Sequence, residues 1–186
     1  MDLNKIRQDI DRVDSSIKPL FIERMACGKN VALAKAESKG NVYVPEREQQ
    51  VVANRAKDVS LDIHDEYVAF LLHLMSLCRR YEYGILTDMQ EETLADALAK
   101  TDYSIQTPHN KVAVAFDTRE DAGSIQLVMN MIALNSIRIE QLSLNSEGPV
   151  SHINCTLLGN VNEKNMKLLL CQLAKETQDF KIKELI

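Results

Sequence analysis

The sequence predicts two units in series, an all-helical N-terminal part and a small α+β part, with the composition changing at Lys111. Three observations carry that expectation. Residues 2 to 39 hold one apolar seam of helical spacing, and two more helical segments follow before residue 87. A polar stretch then runs from Thr101 to Asn110. Beyond it, alternating apolar runs and amphipathic segments succeed one another in the order βαββαβ.

In the first helix, Leu3, Ile6, Ile10, Val13, Ile17 and Leu20 recur at steps of 3, 4, 3, 4 and 3 residues. Such a narrow a/d stripe is built to seat another helix. Further on, Arg24 and Lys35 lie 11 residues apart. At about 100° per residue they project within roughly 20° of each other. Arg7, 17 residues before Arg24, is turned roughly 100° off that line. Two cations therefore aim at one pocket and a third aims elsewhere along the rod. Pro19 removes a backbone donor and is expected to kink or weaken the helix, at a cost of roughly 3 kcal/mol if nothing compensates. The ending is expected at Ser38-Lys39-Gly40-Asn41.

A second helix starts at Pro45-Glu46-Arg47-Glu48, with proline in the first turn and acids near the positive end of the dipole, and runs to about Lys57. A third opens at Asp62, with Asp65 completing a capping-box variant. Val68, Leu71, Leu72, Met75 and Cys78 give it a helical stripe to about Tyr83, and Gly84 can close it. An acidic helical segment from Asp88 to Lys100 leads into the linker. Val112, Val114 and Phe116 alternate as a strand, and Asp121-Ala122-Gly123-Ser124 opens a helix carrying Ile125, Leu127, Val128, Met131 and Ile132. Ile137, Ile139, Leu142 and Leu144 mark a second strand, and Ile153, Cys155 and Leu157 a third. A helix from Glu163 to Gln178 and a last strand through Phe180, Ile182 and Leu185, with one slip in its alternation, complete the chain. This is the ferredoxin-like plan, with helices on one face of an antiparallel sheet. The boundaries expected are residues 1–87 for the helical domain, 88–110 for a linker helix and linker, and 111–186 for the α+β domain.

A net charge of −5 argues against nucleic acid, whose phosphates call for a basic face. No uncharged run approaches a membrane span, and the N-terminus has no apolar core of a signal peptide, so a cytoplasmic protein is expected. Cys27, Cys78, Cys155 and Cys171 show no metal-ligand spacing and are expected as reduced, mostly packed thiols; no metal or cofactor is called for.

Ile6-Arg7 with Ile10 and Val13-Asp14, then Glu23-Arg24, Lys35, Pro45-Glu46-Arg47-Glu48 and the end of the third helix resemble the all-helical class of chorismate mutase. The resemblance covers about residues 3 to 85 and implies a dimer of intertwined helices. Ala122-Gly123-Ser124-Ile125 and Ile139-Glu140 resemble an ACT domain, most like the one ending bifunctional chorismate mutase–prephenate dehydratases. The dehydratase domain that would lie between the two is absent.

The chemistry so implied suits these residue types. Chorismate, a small dicarboxylate, rearranges to prephenate through a compact cyclic transition state with no proton transfer and no covalent intermediate. The protein has to hold the reactive conformer and stabilise the negative charge growing on the breaking ether oxygen. Guanidinium forks bind carboxylates bidentately. The resemblance implies that Arg24 holds one carboxylate and Arg7 of a second copy the other. It also implies that Lys35 donates to the ether oxygen, Glu48 accepts from the ring hydroxyl and Arg47 orients the pocket. Val44 stands where the family commonly has Asp, Cys78 where a Ser or Thr helps hold a carboxylate, and Glu82 where most bacterial members have Gln. A carboxyl donates to the ether oxygen only when protonated, so Glu82 makes acid the favoured condition.

For the C-terminal domain the resemblance implies amino-acid sensing. The helix opening at Ala122, Gly123, Ser124 and Ile125 is expected to turn backbone N–H groups and a dipole toward an effector carboxylate. Phenylalanine-sensing dehydratases carry Glu-Ser-Arg-Pro where this chain reads Glu140-Gln141-Leu142-Ser143. The function expected is therefore chorismate mutase, a homodimer with shared sites, regulated by an aromatic amino acid. Two alternatives are an isochorismate pyruvate lyase on the same scaffold and a non-catalytic amino-acid-sensing protein.

Overall fold

The computed structural model describes residues 2–119 and 122–186. Its elements are α1 (Leu3–Ser38), α2 (Pro45–Ala56), α3 (His64–Ile85), α4 (Thr87–Leu98), β1 (Lys111–Arg119), α5 (Ala122–Leu134), β2 (Arg138–Glu147), β3 (Val150–Leu158), α6 (Lys164–Glu176) and β4 (Gln178–Leu185). Asp121, expected in the opening turn of α5, lies outside the described residues.

Helix α1 starts on Asp2, whose carboxylate accepts from the Asn4 N–H at 2.9 Å. It passes through Pro19 without a break. The bond Pro19 cannot make would have gone to the Ser15 carbonyl, on an exposed stretch where solvent can serve it. The apolar seam has no cover in the single chain: Leu3 is 58 % exposed and Leu20 65 %. The left-handed residue ending α1 is Lys39, φ 52°, rather than the glycine after it. Its N–H and that of Gly40 both reach the Lys35 carbonyl.

Helix α2 begins without a side-chain cap, because Val44 at its N-cap carries no acceptor. Helix α3 departs from expectation at its start. It opens at His64 rather than Asp62, and its N-cap, Ile63, makes no capping bond. Asp62 instead receives the Ser60 hydroxyl in the preceding turn, and Asp65 faces the imidazole of His64. Its other end runs past Gly84 to Ile85.

The four strands form one antiparallel sheet in the order β2-β3-β1-β4. Val112, Val114 and Phe116 stand opposite Leu157, Cys155 and Ile153, and all six are buried. The slip in the last strand is a bulge: Ala113 pairs Glu184 and Val114 pairs Ile182, leaving Lys183 extra. Strand β2 sits at the edge of the sheet, and its Ile139, Leu142 and Leu144 are exposed.

The acidic segment expected as a linker helix does more than connect. Helix α4 packs on α6, and its Leu94 and Leu98 belong to the same core as the sheet. Helix α6 is buried on two sides. Leu169 and Leu173 face the sheet core, whereas Leu168 and Cys171 join Ala32, Val42, Tyr83 and Leu86 in a second cluster. Helix α3 touches α1 and α2 on one side and α5 and α6 on the other, so the two units share it as a common wall.

Candidate active site

Three helices converge on a cavity of about 750 Å³. From α1 come Arg24 and Lys35, from the start of α2 Val44, Arg47 and Glu48, and from α3 Cys78 and Glu82. The rest of the lining is mostly apolar, with Val31, Val42, Val51, Leu71, Leu74 and Met75 beside Tyr67 and Phe70, and Arg55 and Arg79 complete it. A small, polar-rimmed cavity with an apolar body suits a compact anionic ligand. Arg7 is exposed on α1 and does not line it.

Lys35 is fixed by two acceptors. Its Nζ donates to the Val42 carbonyl at 3.0 Å and to Glu82 Oε2 at 3.1 Å. An ammonium has three protons, so one remains for a ligand. The Glu82 side chain is only 9 % exposed, which makes this pair a partly desolvated one. Cys78 is buried, and its Sγ approaches Met25 Sδ at 3.7 Å. Burial pushes its thiol pKa up, with Arg24 pulling the other way, so it stays a weak donor rather than a thiolate.

Glu48 is held from behind. Arg79 Nη1 donates to both its oxygens, at 2.6 Å to Oε1, and Arg79 Nε donates to Glu176 Oε2 at 2.9 Å. The Arg79 guanidinium also lies over the Tyr43 ring, 4.8 Å from its centroid. Burial works against the charge of Arg79, but Glu176 and Glu48 outweigh it and hold its pKa above the ordinary guanidinium value. The sequence reading missed Arg79, Glu176 and Tyr43. For Arg79 a signal existed: it follows Leu72 by seven residues and Met75 by four, and so falls on the apolar stripe of α3.

Burial pushes the Glu176 carboxyl up to about 7, against the pull of Arg79. A carboxyl raised in the folded state keeps a proton that the unfolded chain has already lost above about 4.5. Its contribution to stability is therefore full below about 4.5 and lost as pH rises through about 7. Glu176→Gln should remove that decline, so the stability of the variant relative to the parent should grow across this window, by on the order of 3 kcal/mol. Thermal or urea unfolding of both proteins against pH measures it, and a pH-independent difference would contradict it.

A second cavity, of about 290 Å³, lies between the two units and takes in two of the four residues expected at an effector site. Gly123 and Ser124 line it beside Arg119, and Tyr43, Glu48 and Glu176 form the opposite part. Ile125 is half-buried and does not line it, and Ala122 contributes the first backbone position of α5. Glu48 borders both cavities.

Among the described residues no group of His, Cys, Asp and Glu could hold a metal ion, and no helix is long and apolar enough to cross a membrane. Residues 6–83 match the family model described as chorismate mutase type II. No curated protein and no solved structure matches the chain.

Proposed function

With residues 6–83 a chorismate mutase type II domain, and the protein therefore an isomerase acting on chorismate, we propose that it is a homodimer with shared sites, regulated through its C-terminal unit. The observation that carries the site is the single cavity in which Arg24, Lys35, Arg47, Glu48, Cys78 and Glu82 meet. Arg24 takes one substrate carboxylate and Arg7 of a second copy takes the other. Lys35 gives its remaining proton to the ether oxygen, where charge grows in the transition state. Glu48 accepts from the ring hydroxyl, Arg47 orients the pocket, and Cys78 lies where a carboxylate is held. The dimer is supported by the uncovered seam on α1 together with the exposed position of Arg7 outside its own chain's cavity.

The helical domain is residues 1–87 and the ACT-type, ferredoxin-like domain residues 111–186, with 88–110 between them. The strand order β2-β3-β1-β4 and the two helices over that sheet support this division. An aromatic amino acid is the effector. Its carboxylate goes to the start of α5 at Gly123 and Ser124, and its apolar body to Leu72, Leu127 and Met131 in the same cavity.

The test is chorismate loss and prephenate formation by the purified protein, with and without Phe, Tyr and Trp, and with isochorismate as a rival substrate. Chorismate turnover that one of the three changes is the expected result. A coupling of 1–3 kcal/mol, about 5- to 150-fold in affinity, is the usual range. Calorimetry showing no binding of any of the three at millimolar concentration would reduce the C-terminal unit to a structural role.

A further inference from the structure

An arginine on the apolar stripe of a helix has to be neutralised where it lies, because a buried guanidinium without a partner is costly. The Arg79 side chain is 3 % exposed, and it meets that need with two carboxylates from opposite sides of α3. Glu48 comes from the first turn of α2 in the helical unit, and Glu176 from the last turn of α6 in the C-terminal unit. Glu176 is itself enclosed, with its side chain 1 % exposed, and its Oε1 receives Gln172 Nε2 at 3.1 Å. The three side chains form a chain of charge-assisted contacts from the sheet unit to the wall of the larger cavity.

Glu48 occupies a special place in that chain. It alone of the pair of carboxylates lines both cavities, and Arg79 lines the larger one beside it. A carboxylate on three rotatable bonds is poorly aimed unless something holds it. A carboxylate offers roughly four lone-pair sites, and Arg79 engages two of them, leaving acceptor capacity for a hydroxyl. The hold comes from Arg79, whose own geometry depends on a group 97 residues further along the chain.

We propose that Arg79 is a positioning residue for the mutase reaction: it aims Glu48 into the active-site cavity, and Glu176 in turn sets Arg79, so the C-terminal unit holds one wall of the site. The proposal rests on Glu48 being the substrate's hydroxyl acceptor. It also gives regulation a physical route, since a ligand in the smaller cavity would lie against Glu48 and Glu176 together.

A double-mutant cycle on kcat/KM, expressed per folded protein from far-UV circular dichroism and thermal melts, tests it. Arg79→Lys keeps the charge but loses the planar fork, and should lower kcat/KM about tenfold in the parent. In a Glu48→Ala background the same change should cost less than about twofold, because there is no longer a carboxylate to aim. Glu176→Gln should lower kcat/KM about threefold in the parent and have no further effect beside Arg79→Lys. Equal losses in both backgrounds would overturn the proposal and leave Arg79 a structural ion pair. Should Arg79→Lys fail to fold, Glu176→Gln with and without Glu48→Ala decides the matter alone, on the same criterion. Full activity in Glu48→Ala by itself would overturn the acceptor role of Glu48 and the proposal with it, whereas a loss there with additive partners would overturn the proposal only.

Discussion

Lys35→Ala should lower kcat/KM for chorismate by about 10²–10³-fold, the usual cost of removing one preorganised donor from a developing oxyanion. The ammonium is anchored by the Val42 carbonyl and Glu82, so it is aimed before substrate arrives and little reorganisation is needed in the transition state. The variant should also lose stability, because a carboxylate only 9 % exposed is left without its cation, a situation that costs about 3–5 kcal/mol when the pair is fully buried. Glu82→Gln introduced beside it should recover stability and not activity. On its own, Glu82→Gln has a different effect. A glutamine can accept from Lys35 through its oxygen and donate to the ether oxygen through its nitrogen, whereas an ionised carboxylate can only accept. Glu82→Gln should therefore raise kcat/KM for chorismate above that of the parent at neutral pH. Steady-state kinetics of both proteins at neutral pH measure this, and an unchanged or lower kcat/KM in Glu82→Gln would remove Glu82 from the ether oxygen.

Much of this arrangement is legible in local sequence. The 3-4 spacing of Leu3 to Leu20 marks an apolar seam, and the seam is uncovered in the chain. The phase of Arg24 and Lys35 predicts that they share a pocket, and they do. Alternation places Val112, Val114 and Phe116 on one covered face, and a break in alternation foretells the bulge at Lys183. What local sequence does not carry is contact between distant segments. Leu168 and Leu169 read alike on a helix but serve different cores, because α6 is covered on both sides. Glu176 reads as a solvated acid at a helix end, and its burial is created only when α3 brings Arg79 against it. Helix starts without caps were also hard to place. At Ile63 no side chain competes for the helix-start N–H groups, so the cap lies one residue beyond the Asp62 that the capping pattern with Asp65 predicts.

Arg24→Ala and Arg7→Ala should each lower activity by at least about 100-fold, since each removes a charge-assisted fork from a substrate carboxylate. The account differs from a one-chain site in what happens when the two are combined. Arg24 lines the cavity of its own chain, whereas Arg7 lies outside it, exposed on α1 beside the seam, and on this account reaches a site in a second copy. The most direct test of shared sites is to mix equal amounts of the Arg7→Ala and Arg24→Ala proteins, allow subunit exchange, and measure chorismate turnover. Random exchange puts half the chains in mixed dimers with one intact site each, so about a quarter of the parent activity should return. If native mass spectrometry shows mixed dimers and activity stays at the level of the single variants, the site is not shared and the account is wrong.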